Sequence, residues 1–134
     1  MAKLELIEGI GPTYAEQLRA AGIGSVEALL KQGATPEGRD KIEKAAGIGN
    51  ELILDWVNRA DLMRIRGVGE EYSDLLERAG VDTVVELAQR NPANLHGKML
   101  EVNHKEKLVR RPPSQGMVER WVQEAKTLPR AVHY

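Results

Sequence analysis

Residues 7–30 read IEGIGPTYAEQLRAAGIGSVEALL, and residues 65–88 read IRGVGEEYSDLLERAGVDTVVELA. The two stretches align without a gap at an offset of 58, and nine of the 24 positions are identical: Ile7/Ile65, Gly9/Gly67, Gly11/Gly69, Tyr14/Tyr72, Leu18/Leu76, Ala21/Ala79, Gly22/Gly80, Val26/Val84 and Leu29/Leu87. Several other positions exchange Ile for Val, Ala for Ser or Glu for Asp. A fixed-offset match of this length marks an internal repeat, and the repeat organises everything else in the chain.

Punctuation within one copy sets its elements. A short helical lead-in ends at Gly9-Ile10-Gly11. Pro12 then opens a helix whose apolar face is Tyr14, Ala15, Leu18 and Ala21, at helical spacing. Gly22 closes it as the residue after the cap. Ser25 caps a second helix carrying Val26, Leu29 and Leu30, with Glu27 in its first turn and Gly33 at its end. Thr35-Pro36 starts a third helix, containing Ile42 and Ala45. After Gly47-Ile48-Gly49, Asn50 is expected to cap a fourth, with Leu52, Ile53, Trp56 and Val57. No stretch alternates with period two, so no sheet is expected.

The likeness between the copies extends beyond residue 30. Thr35-Pro36 recurs as Asn91-Pro92, and LILDWVNRADL (52–62) matches MVERWVQEAKTL (117–128), pairing Trp56 with Trp121. That last pairing needs an offset of 65, so the second copy carries seven extra residues, expected near Asn103–Pro113. The boundaries that follow are 1–60 for the first unit and 61–134 for a second, longer unit with a basic end.

The turns Ile7-Glu8-Gly9-Ile10-Gly11, Ala46-Gly47-Ile48-Gly49 and Ile65-Arg66-Gly67-Val68-Gly69 are similar to the helix-hairpin-helix motif, in which glycines reverse the backbone between two helices and an apolar residue anchors the turn. The segment LVRRPPSQGMVERWVQEAKTLPR (108–130) resembles the C-terminal part of an uncharacterised bacterial family, a domain of unknown function with tandem hairpins, and the resemblance covers nearly the whole chain. These likenesses imply an all-α fold: two tandem helix-hairpin-helix repeats of short helices with pseudo-two-fold or repeat symmetry, a SAM-like/helix-hairpin-helix bundle. They also imply double-stranded DNA as a partner, because backbone N–H groups at such a turn suit a phosphate. Phosphate contacts position a protein without reading bases, so the binding would be sequence-independent. On this reading Gly9, Ile10, Gly11 and Thr13 form one phosphate site and Gly67, Val68 and Gly69 another. In helix-hairpin-helix proteins Lys or Arg normally follows the second glycine by two or three residues. Here Pro12-Thr13, Asn50-Glu51 and Glu70-Glu71 follow instead, so glycines that serve helix packing alone remain an open alternative.

Charge points elsewhere for a polyanion. The chain of 134 residues has a formal net charge of −1, but residues 1–95 hold 11 Lys/Arg against 16 Asp/Glu, whereas residues 96–134 hold 8 against 4. The basic run Lys98, His104, Lys105, Lys107, Arg110 and Arg111, continued by Arg120, Lys126 and Arg130, is the better nucleic-acid candidate, and Arg64 and Arg66 beside the second turn could join it. The alternative is a solvated surface in which Glu101, Glu106 and Glu119 offset the charge.

The remaining features argue for an absence of chemistry. There is no cysteine, which removes disulfides and thiolate nucleophiles, and His96, His104 and His133 lack metal-ligand spacing. Trp56 and Trp121, with apolar neighbours, read as core residues, as do the inward Tyr14 and Tyr72. Glu70/Glu71 and Asp55/Asp61 are expected on exposed helix ends without a His or Lys partner for acid–base work. No phosphate-binding Gly-x-x-x-x-Gly-Lys loop occurs. With neither a signal peptide nor a transmembrane-length apolar run, the expectation is a cytoplasmic, non-enzymatic module without cofactor, metal, membrane or small-molecule substrate. Two functions stand: weak DNA binding, and a protein–protein adaptor whose hairpins only pack helices and whose basic surface meets an acidic partner.

Overall fold

Helix boundaries in the computed structural model, which describes residues 2–134, follow the capping residues closely. A 3-10 turn at Leu4–Leu6 precedes α1 (Pro12–Ala20), α2 (Val26–Gln32), α3 (Pro36–Ala46), α4 (Asn50–Leu62), α5 (Glu70–Arg78), α6 (Val84–Ala88), α7 (Pro92–Glu106) and α8 (Gln115–Ala125). Among the described residues there is no strand. The chain divides into two compact units, Met1–Asp61 with Ala131–Tyr134, and Leu62–Arg130.

In the first unit Pro12 sits in the opening turn of α1, where a missing N–H removes no intrahelical bond. The helix ends in a Schellman motif: the Ile23 amide donates to the Leu18 carbonyl (2.9 Å) and the Gly22 amide to Arg19 (3.0 Å). Gly22 takes φ +89 there, a conformation open to glycine at little steric cost. Ser25 Oγ accepts from the Ala28 amide (3.1 Å) at the start of α2, and Thr35 Oγ1 from the Gly38 amide (3.1 Å) at the start of α3. Leu4, Ile7, Leu18, Ile23, Leu29, Ile53 and Trp56 are its largest fully buried side chains, so the interior is aliphatic around one indole.

The second unit carries its own core of Leu62, Ile65, Leu75, Leu76, Val81, Leu87, Leu95, Met99, Val118, Trp121 and Val122, among others. α5 ends as α1 does, with Val81 N–H donating to Leu76 (2.9 Å), Gly80 N–H to Glu77 (3.0 Å) and Gly80 at φ +96. Thr83 caps α6, Asn91 caps α7 and Ser114 caps α8 through their side chains.

Three details differ from expectation. Gly49, whose carbonyl receives the Ile53 amide (3.2 Å), holds the capping place of α4; the Asn50 side chain instead donates to Asp40 Oδ1 (2.9 Å) and Glu43 Oε1 (3.2 Å). Asp61 is not on an exposed end: it is 1% exposed and partnered, while Asp55 pairs with the buried Arg59 (3.3 Å), one helical turn along. The last four residues return to the first unit, where Val132 is buried and the His133 amide donates to Ala34 (2.8 Å).

Candidate nucleic-acid interface

At the first turn Gly9 has φ +97, and a Cβ there would also stand 3.2 Å from Trp56 Nε1. The backbone conformation therefore favours glycine, and the packed indole leaves little room for a β-carbon. Gly11 caps α1 in open surroundings, and no acidic residue lies in that helix's first turn. Thr13 is exposed. Ile10 is 4% exposed and its N–H donates to Ile7 (3.0 Å), so its contribution is packing and its amide is engaged.

The second turn has the same construction with different chemistry. Gly67 (φ +85) lies against the Trp121 indole, Val68 is buried with its amide donated to Ile65 (3.1 Å), and Gly69 caps α5. Glu70 and Glu71 fill the first turn of α5, where the positive end of the helix dipole favours them. Their negative charge would repel a phosphate approaching this helix end.

The structure brings Gly69 together with part of the basic run. A cleft of about 420 Å3 is lined by Gly69, Glu70, Glu71, Tyr72, Val109, Arg110 and Arg111. The loop bearing the arginines is pinned at four places. Asn103 Oδ1 accepts from the Val109 amide (2.9 Å), Glu71 Oε1 accepts from the Arg110 amide (3.1 Å), and the Tyr72 hydroxyl donates to the Arg111 carbonyl (2.8 Å). His96 Nε2 stands 2.9 Å from the Pro113 carbonyl, a contact that needs the proton on that nitrogen. Among the described residues, neither Lys107, Arg110 nor Arg111 forms a side-chain ion pair, and all three are exposed. With two glutamates and two arginines in its lining, the cleft carries no net formal charge.

Other nominated residues stand apart. Arg64 is turned to the Pro129 carbonyl (2.8 Å), Arg66 is exposed with its amide on Glu124 (3.1 Å), and Lys105 pairs with Glu101 (3.5 Å) along α7. Sequence reasoning missed the anchors Asn103, His96 and Glu71, and gave Tyr72 only a core role; it packs on Trp121 (5.2 Å between centroids) while its hydroxyl holds the loop. No residue pattern signals a side chain that bonds a loop backbone six or 39 positions away.

The family described as Domain of unknown function (DUF4332) matches residues 8–128. The chain belongs to this family. The match takes in all three Gly-x-Gly sequences and the Lys107–Arg111 loop, and stops short of the tail at Ala131–Tyr134. No curated protein and no solved structure matches the chain. Among the described residues no group of three or more His, Asp or Glu is placed to hold a metal ion, and no helix is long and apolar enough to cross a membrane.

The extra residues of the second copy are visible in this loop. α7 has 15 residues against 11 in α3, one more turn, and a longer connection leads from it to Ser114. Lys107 caps α7 at φ +53, as Gly47 caps α3 at φ +71. A β-carbon costs on the order of 1 kcal/mol in that conformation. Lys107→Gly is expected to raise stability by about 0.5–1 kcal/mol while removing a cation, as a shift in urea midpoint will measure.

Proposed function

We propose that this chain is a non-catalytic, cytoplasmic module of two tandem helix-hairpin-helix units that binds double-stranded DNA weakly and without sequence preference, through backbone phosphates. The observation that carries the reading is the loop Lys107–Arg111: three exposed cations without ion-pair partners among the described residues, on a backbone pinned by Asn103, Glu71 and Tyr72. Cations held in place lose less freedom on meeting a phosphate than cations on a loose loop do. The acid-free first turn of α1 offers a second contact, through Gly11 and Thr13. The hairpin assignment draws support from the matched Schellman closures after α1 and α5 and from Tyr14–Trp56 (5.0 Å) and Tyr72–Trp121 (5.2 Å), one pair in each unit.

A rival reading, a protein–protein adaptor, is favoured by Glu70 and Glu71 at the second turn and by indoles that give Gly9 and Gly67 a packing role. Titration of a labelled duplex separates them. Three phosphate contacts imply a slope of about −2.7 in log K against log salt, a loss of roughly 40-fold between about 50 and 200 mM. Arg110→Glu with Arg111→Glu should weaken binding more than Thr13→Glu and flatten the slope by about two units. No binding at the lower salt would overturn the DNA reading and leave the adaptor.

A further inference from the structure

The C-terminal residues supply the observation. They form neither helix nor strand, yet their contacts to the first unit are specific. Residue 133 is held through its main chain: its N–H donates to the Ala34 carbonyl (2.8 Å), and its C=O accepts from Arg39 Nη2 (2.8 Å). Arg39, 4% exposed, uses its other arm on the Gly33 carbonyl (2.8 Å), so one buried guanidinium clamps the α2–α3 junction to the tail. The flanking positions carry side-chain selection. Val132 is 1% exposed, while Tyr134 leaves its ring largely in solvent and places its hydroxyl 3.1 Å from Asn58 Oδ1 on α4.

We propose that this seat on the first unit is a peptide-binding groove, and that residues 131–134 are an internal occupant standing in for a partner's segment. The partner chemistry follows from the contacts: a non-helical peptide with a small branched aliphatic residue and, two positions later, a tyrosine. The position between them is held by two main-chain bonds, so proline, which lacks the N–H that Ala34 accepts, is excluded there. This resembles other modes of peptide capture in which main-chain bonds give affinity and neighbouring pockets give specificity. Four residues form too small a contact for tight binding, and covalent attachment supplies the occupancy: a short tether raises the local concentration to about millimolar. A groove with a Kd of about 0.1 mM would then be filled by its own tail, yet remain open to a partner with a longer segment.

The test uses the chain ending at Arg130 and a peptide of residues 129–134, Pro-Arg-Ala-Val-His-Tyr, followed by NMR titration. The truncated chain should bind this peptide with shifts at Ala34, Arg39 and Asn58. The full chain should bind it about tenfold more weakly, because its own tail competes. A peptide with Asp in place of Val should bind at least tenfold more weakly to the truncated chain. If truncation melts the helices, adding the peptide should restore them. Absence of both binding and restoration overturns the proposal, as does equal binding of the Asp peptide. In the intact protein the His133 amide should exchange with solvent far faster than that of Val57, as local release requires. Equal protection would make the tail a fixed part of the core and overturn the proposal as well.

Discussion

Gly38→Ala is expected to lose about 3 kcal/mol of stability, against the usual gain of about 1 kcal/mol for replacing a helical glycine by alanine. A Cβ at Gly38 would fall 2.0 Å from the Gln32 carbonyl oxygen, with Thr35 Oγ1 at 3.3 Å. The obstacle is backbone, so no rotamer change relieves it. The start of α3 must move away from the end of α2, and that movement disturbs the Thr35 cap and the Gly33 carbonyl that Arg39 holds. The control is Gly97→Ala in α7, where a Cβ meets nothing within 4 Å and the backbone is in the ordinary helical region. It should gain about 0.5–1 kcal/mol by propensity and reduced unfolded-state entropy. Urea midpoints should therefore move in opposite directions. A stable Gly38→Ala protein would show that the α2–α3 junction gives way easily.

Removal of either indole should be as damaging. Trp56 and Trp121 are 1% and 3% exposed, each beside its unit's tyrosine and each lying against a glycine turn. Truncating a buried tryptophan to alanine costs about 3–5 kcal/mol, the lost transfer energy plus the cavity left behind. Whole domains are stable by only about 5–15 kcal/mol, so Trp56→Ala and Trp121→Ala should each be close to unfolding at 37 °C. Circular dichroism under urea measures both. A cost below about 1 kcal/mol for either would mean that its glycine turn is not supported by the ring.

These expectations show where the chain can be read directly and where it cannot. Pro12, Ser25, Thr35, Thr83, Asn91 and Pro92 mark helix starts because capping is local chemistry, complete within four residues. Gly9, Gly22, Gly47, Gly67 and Gly80 all have positive φ, which only glycine adopts freely. The apolar face of α1 was legible from spacing, and Ala15 and Leu18 are buried as that spacing requires. The candidate interface was half legible. The basic run stood out by composition, but its arginines share a cleft with Glu70 and Glu71 only because α5 and α7 pack together.

The helical class and the places where helices start and stop were decided within short windows of residues, by caps, prolines and glycines acting on their own backbone. Folding in three dimensions decided the rest. It buried Asp61 and Arg39, joined the tail to the first unit, and set Lys107 in a glycine's conformation at the start of a pinned loop. The pinned loop and the seated tail depend on atoms brought together across 39 and 94 positions, Tyr72 to Arg111 and Arg39 to His133. Desolvation and hydrogen bonding act at contact distance, whatever the separation along the chain, so local pattern carries no trace of them.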